Sequence, residues 1–314
     1  MISFNTVSAL LIAFMNVLLN AHAFAQDFPL TPESGFGLSE WDSLLVGADA
    51  HAQRSTLTWH SMITNLPGDW SRHAQMTFQA SSLPAIGGIA ALTGGFMLVD
   101  DGTLRASHSL YHESSFIRST SNIFVRMGDG KTHIGVAAAF GLYGWIADDS
   151  RALRTASQTM EALIASGLVV QVLKRITGRE SPQAATRETG RWQFFPNMIQ
   201  YQKHQPKYYA FPSGHITSMM ATVTVITENY PEVGWLRPVG YAVVGLVGVS
   251  LVNIGYHWYS DLPLGIALGY TFGKAIAHPE GIEHQSTDDP HATKISIAPR
   301  LGPLGAGVTA AVTF

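Results

Sequence analysis

The chain has 314 residues, of which 46% are hydrophobic and only 13% charged, and its formal net charge is -3. That length allows one large or two ordinary domains with a sizeable core, and so little charge is unusual for a soluble protein. The near-neutral balance excludes a global basic field for nucleic acid, and none of the familiar nucleic-acid modules is visible. The absence of cysteine excludes disulfides, thiolate metal sites and cysteine nucleophiles.

Residues 9–19 form an apolar run too short to span a bilayer, and Ala23-Phe24-Ala25 has the small-x-small pattern of a signal-peptidase site. Residues 1–25 therefore read as a signal peptide, although residues 1–8 lack the usual Lys or Arg, which leaves an uncleaved anchor open. Residues 26–81 are mixed and polar, punctuated by Pro29, Pro32 and Gly35-Phe36-Gly37, and suggest no chemistry. Residues 84–99 are apolar and rich in glycine and alanine, as suits close helix packing, and this segment is expected to end at Asp100-Asp101. A polar stretch, 108–130, carries one expected helix near 115–125.

A second apolar segment covers 133–147 and stops at Asp148-Asp149. The third, 155–176, puts Met160, Leu163, Ile164, Gly167, Gln171 and Lys174 on one helical stripe, so Lys174 leaves the buried face in the last turn. The plainer reading is a lysine answering the helix dipole, with Gly178 just past the end. Residues 180–211 have little periodicity but interleave Arg187, Arg191, Lys203 and Lys207 with Trp192, Phe194, Phe195, Tyr201, Tyr208 and Tyr209. Loops this long are functional or disordered, and the aromatic content argues against disorder.

At Pro212-Ser213-Gly214-His215 a loop turns into a fourth helix, 215–227. Ser213 is a favoured N-cap, Gly214 permits close approach to the backbone, and the free N–H groups of the helix start suit an anion. Taken alone, this is equally a well-capped helix with a surface histidine. A fifth helix is expected over 238–252 and a sixth over 261–276. Residues 278–293 read as a linker, and the runs 295–301 and 306–314 around Gly302-Pro303-Leu304-Gly305 suit a β-hairpin.

Between the fifth and sixth helices, Ser260 looks like an N-cap, which puts His257 just before the helix and Asp261 in its first turn. A carboxylate on one imidazole nitrogen makes the other a better nucleophile or base. Two histidines, one of them oriented by Asp, a lysine on a buried face and a glycine amide at a helix start together describe phosphoryl chemistry.

The set Lys174-x4-Arg179-Glu180-Ser181-Pro182, Pro212-Ser213-Gly214-His215 and Ser250-x6-His257-x3-Asp261 resembles the three-part signature of the type 2 phosphatidic acid phosphatase superfamily, whose scaffold is shared with vanadium haloperoxidases. The resemblance spans roughly 84–276. It implies an all-α six-helix bundle over 82–277, here followed by a linker and a short C-terminal β-hairpin. It also implies His257 as the nucleophile of a phosphohistidine mechanism, Asp261 as its orienting partner and His215 as the general acid. Lys174, Ser213 and the Gly214 amide would bind phosphate, with no metal and no cofactor.

Two positions depart from the pattern: Ser181 and Leu251 stand where the resemblance leads one to expect arginines that clamp phosphate oxygens. Arg179, two residues away, is the expected substitute, with Arg187 or Arg191 as others. The expected function is an exported, metal-independent phosphatase acting on a phosphomonoester or diphosphate, of a lipid or a small ester. It would sit in the periplasm or cell envelope, with multi-pass membrane insertion allowed. The missing arginines support an alternative, a weakly active or inactive relative that binds a phosphorylated lipid. A third reading, a metal held by His257 and Asp261, lacks a closed ligand set.

Overall fold

The computed structural model describes residues 61–278, together with the backbone of β1 (Lys294–Gly302) and β2 (Gly305–Thr313). The expected signal peptide, the expected polar segment before residue 61 and nearly all of the expected linker lie outside these residues. β1 and β2 pair antiparallel, with Gly302 opposite Gly305.

Ten α-helices lie among the described residues. They are α1 (Ser61–Thr64), α2 (Leu66–Thr77), α3 (Leu83–Glu113), α4 (Ser115–Met127), α5 (Gly130–Ala147), α6 (Ser150–Thr177), α7 (Met198–Lys203), α8 (Gly214–Asn229), α9 (Leu236–Ile254) and α10 (Leu262–Ala277). The six apolar segments lie in α3, α5, α6, α8, α9 and α10, and the polar stretch contributes α4. Local chemistry starts and stops several of them. Asp129 caps α5 through Lys131 N–H, and Asp149 caps α6 through the N–H groups of Arg151 and Ala152. Gly178 ends α6 at φ +52°, donating its N–H to Lys174 O.

α8 is the centre of the bundle. One face packs Ala221 and Val225 against Ala162, Ala165 and Val170 of α6 and Phe272 and Ile276 of α10. Another packs Ile216, Met220 and Val223 against Val244, Val247 and Leu251 of α9. The α8 and α10 backbones approach closely because Gly269 has no side chain: a Cβ there would lie 2.5 Å from Thr217 O. Phe272 is fully buried, a burial that stabilises by roughly 2–3 kcal/mol.

Two findings alter the sequence reading. The segment before residue 82 holds α2, which docks on the bundle: His73 stacks on Phe272 with centroids 3.8 Å apart, and Trp70 Nε1 donates to Ala165 O at 3.2 Å. The helical body thus begins ahead of the expected boundary. The second finding concerns α3, which does not stop at Asp100-Asp101 but runs on to Glu113. The change at Asp100 is one of composition, not of backbone. Asp101 pairs with Arg105 one turn on, which supports a helix, and Asp100 is buried against partners from other elements.

The apolar half of α3, 83–99, is roughly 25 Å long at about 1.5 Å per residue. Among the described residues, three segments are long and apolar enough to cross a membrane: Ala80–Glu113, Ser150–Thr177 and Leu236–Ile254. Leu92 and Leu98 on the first, Leu168 and Val172 on the second, and Val239 and Leu246 on the third are exposed.

Candidate active site

The site lies at one end of the bundle, where α6 and α9 finish and α8 and α10 begin. The backbone ties these ends together. Ser213 N–H donates to Asp261 O at 3.0 Å, Ala210 N–H to Arg179 O at 3.0 Å, and Lys174 Nζ to Tyr209 O at 2.6 Å. After α9 the chain reverses at Gly255, φ +83°, and Tyr256 N–H folds back onto Leu251 O at 2.9 Å. That reversal delivers His257 to the interior.

His257 is fully buried. Its Nδ1 faces Asp261 Oδ2 at 3.4 Å, and the same oxygen accepts Trp258 N–H at 2.8 Å. Among the described residues its Nε2 is buried without a hydrogen-bond partner, and the Ala210 backbone lies close enough to the ring to favour its charged form. Burial pulls the imidazole below its ordinary pKa; Asp261 opposes that and Lys174 adds to it. A neutral ring with Nδ1–H toward the carboxylate keeps a lone pair on Nε2, as a nucleophile or base requires. For Asp261 burial alone would raise the carboxyl, but Arg179 and then His257 hold it below the usual range.

His215, in the first turn of α8, has its ring centroid 6.1 Å from that of His257. Burial pushes it down to about 4, with His257 and Lys174 contributing in the same direction. Ser213 is the N-cap of α8, its Oγ accepting from Ile216 N–H at 3.5 Å. Lys174 is buried with its ammonium 5.0 Å from the Tyr209 ring centroid, and a Cβ built on Gly214 would lie 3.8 Å from Lys174 Nζ. The structure thus gathers His257, His215, Asp261, Lys174, Ser213 and Gly214 at one place. Among the described residues no group of three or more His, Asp or Glu is placed to hold a metal ion.

Residues 156–279 match the family model of the PAP2 superfamily. A comparison with curated proteins finds no match. Among solved structures the chain is similar to the crystal structure of "the first transmembrane PAP2 type phosphatidylglycerolphosphate phosphatase from Bacillus subtilis", at 15% identity and a TM-score of 0.45, covering 70% of this chain and 96% of that one.

Within the PAP2 segment, Arg179 does not occupy the place the sequence suggested. It was expected among the phosphate-binding groups, but its guanidinium is fully buried and committed to carboxylates. Nη1 donates to Asp261 Oδ1 at 2.6 Å and Nη2 to Asp100 Oδ2 at 2.8 Å. It sits between the Trp192 and Trp258 rings, 4.9 and 5.3 Å from their centroids. Asp261 therefore gives one oxygen to His257 and the other to Arg179. Ser181 and Leu251 are both fully buried, Leu251 inside the α8–α9 apolar cluster and Ser181 with an unpartnered hydroxyl.

Ser260 is also displaced from its expected role. It lies in the 3-10 turn Tyr259–Asp261, α10 begins after Asp261, and the Ser260 hydroxyl donates to Asp100 instead of capping a helix. Sequence reasoning missed Asp100 altogether; the one available signal was an acidic pair closing an apolar run. The loop 180–211 is held by Glu180, whose carboxylate accepts the N–H groups of Thr186 and Arg191, each at 2.9 Å. Of the alternative arginines, Arg191 lines a cavity of about 150 Å³ with Glu180, Thr186, Gln193, Lys207 and Tyr208.

Proposed function

We propose that the protein is a metal-independent phosphatase that hydrolyses a phosphomonoester or diphosphate of a lipid through a phosphohistidine at His257. The observation that carries this is the buried, unpartnered Nε2 of His257, with Nδ1 on Asp261 and with Lys174 and His215 beside it. The Nε2 lone pair attacks phosphorus, the bond to the ester oxygen breaks, and protonated His215 gives that oxygen its proton. Water then attacks phosphorus, neutral His215 takes a proton from it, the P–N bond breaks, and phosphate leaves. Lys174 and the N–H groups around Ser213 and Gly214 hold the phosphate oxygens as charge builds.

The membrane is part of the proposal. Among the described residues, three segments long enough to cross it, with exposed leucine and valine along them, suit a lipid-embedded body. The site would then lie near the point where the apolar half of α3 ends, at the extracytoplasmic surface if the first 25 residues direct export. The loop 180–211 exposes Phe194, Phe195, Met198 and Ile199 near the cationic cavity of Arg191 and Lys207, a combination suited to a phosphorylated amphiphile.

A second reading rests on a specific observation: Ser181 and Leu251 put no guanidinium into the site, as would befit a weakly active or inactive relative that binds a phosphorylated lipid. Phosphate release from lipid and soluble phosphates in EDTA separates the two. Release by the natural chain that vanishes in His257→Ala supports the phosphatase. Lipid-phosphate binding without release from any substrate supports the binder, and release abolished by EDTA rejects the metal-independent mechanism.

A further inference from the structure

Asp100 stands in α3, outside the PAP2 segment, and no step above uses it. Its side chain is fully buried at the point where α3 passes from its apolar half to its polar half. An acid in such a place must be partnered or excluded. The partners found here all belong to the neighbourhood of the reacting histidine. Asp100 Oδ2 accepts from Arg179 Nη2 at 2.8 Å and from the Ser260 hydroxyl, and Oδ1 accepts from Ser260 N–H at 3.2 Å. Arg179 Nη1 in turn donates to Ser260 Oγ and to Asp261 Oδ1, each at 2.6 Å. Arg179 Nη2 also donates to Thr189 O at 3.0 Å, so both Nη atoms are engaged, while the buried Nε has no hydrogen-bond partner among the described residues.

The two carboxylates therefore share one guanidinium, in a site with no exposure for either acid or for the arginine. The sharing has a chemical consequence. A carboxylate with a guanidinium to itself is a weak acceptor for a further N–H, whereas one that divides the cation with a second acid keeps more of its negative charge for His257. Asp100 also fixes Ser260 through both its N–H and its hydroxyl, and Ser260 immediately precedes Asp261.

We propose that Asp100 is a positioning residue: acting through Arg179 and Ser260, it holds the Asp261 carboxylate with Oδ2 toward His257 Nδ1 and keeps it a strong acceptor. The proposal rests on the phosphatase reading only for its kinetic part. The other groups that bear on His257 are Lys174, His215, Tyr209 and the Ala210 backbone, and among the described residues none of them is a hydrogen-bond or ion-pair partner of Asp100.

The experiment uses the full chain in detergent micelles with selectively 15N-labelled histidine. The His257 ring is titrated by NMR, with assignment from His257→Asn, and turnover is measured on a phosphate ester. Asp100→Asn should give Arg179 wholly to Asp261, so the His257 ring pKa falls. Arg179→Gln should leave Asp261 facing a second carboxylate without a cation, so the ring pKa rises. Loss of the charges alone gives these two signs as well, so the positioning role is read from Ser260→Ala, which changes no charge, and from the split between kcat and KM. Asp100→Asn should also lower kcat roughly 10- to 100-fold with KM within about twofold of the natural chain, as for other groups that orient a reacting histidine.

A folded Asp100→Asn protein with the natural kcat and His257 titration overturns the proposal. If the natural chain turns over no phosphate, a His257 titration altered by Ser260→Ala sustains the positioning role while the phosphatase reading is rejected. Should Asp100→Asn not fold, Ser260→Ala takes its place. Removing that hydroxyl should change the His257 titration, and an unchanged titration overturns the proposal.

Discussion

Arg179→Met removes a charge from the interior while keeping an unbranched apolar stem. In the structure Arg179 is the cation for two carboxylates, Asp100 at 2.8 Å and Asp261 at 2.6 Å, and none of the three side chains is exposed. Removing one member of a buried ion pair costs about 3–5 kcal/mol, because the remaining charge is left without compensation. Two acids are left here, and the protein should lose at least that much at neutral pH, lowering Tm by roughly 10 °C for a domain of this size.

The pH dependence gives the sharper test. In the natural protein Asp261 is held below its usual range, so its pairing contributes above the unfolded-state pKa and is lost as pH falls through the folded one. In Arg179→Met the buried Asp261 carboxyl loses its cation and burial favours its protonated form, so its folded pKa rises above the unfolded one and the penalty relaxes as pH falls. The Tm gap between the two proteins should therefore narrow on acidification from ~pH 7 to ~pH 5. Thermal unfolding in micelles, followed by tryptophan fluorescence at a series of pH values, reads both quantities. A loss below ~1 kcal/mol, or a gap that widens on acidification, would mean that Arg179 does not compensate these carboxylates.

His215 is pushed down to about 4 by burial, against an unfolded value of 6.5, so the unfolded chain binds the proton more readily and this group lowers stability as pH falls from 6.5 toward 4. As the general acid it must be protonated, so kcat/KM should fall with rising pH across that window, and His215→Asn should flatten this limb; an identical limb in the variant rejects the acid role. At Gly178, φ +52°, an added Cβ would lie 2.0 Å from Gln193 O, a backbone atom that cannot step aside. Gly178→Ala should cost about 2 kcal/mol or more, from left-handed strain plus that clash, and should speed limited proteolysis within 180–211. Natural stability with unchanged proteolysis would show that this close approach does not pin the loop.

Much of the site was legible because its determinants are local. The Ser213 cap, the left-handed Gly178 after α6, and the four-residue step from His257 to Asp261 depend on neighbours in the chain, and each appears in the structure where the pattern placed it. Lys174 was legible because a helical stripe fixes the face on which its last member lies. The course of α3 was not, since a shift from apolar to polar composition resembles an ending while the backbone hydrogen bonds continue through it.

Side-chain chemistry and short-range spacing are properties of the residues, so the candidate groups of the site and the order in which the chain supplies them can be read before any folding is considered. The partner of each buried charge, by contrast, is set by how the helices pack. Arg179 lies beside motif residues and was read as a phosphate ligand, yet it faces Asp261 and an acid from a distant helix. A buried cation goes to whichever carboxylates the packing brings within reach at the least desolvation cost, and that choice is made between helices far apart in the chain.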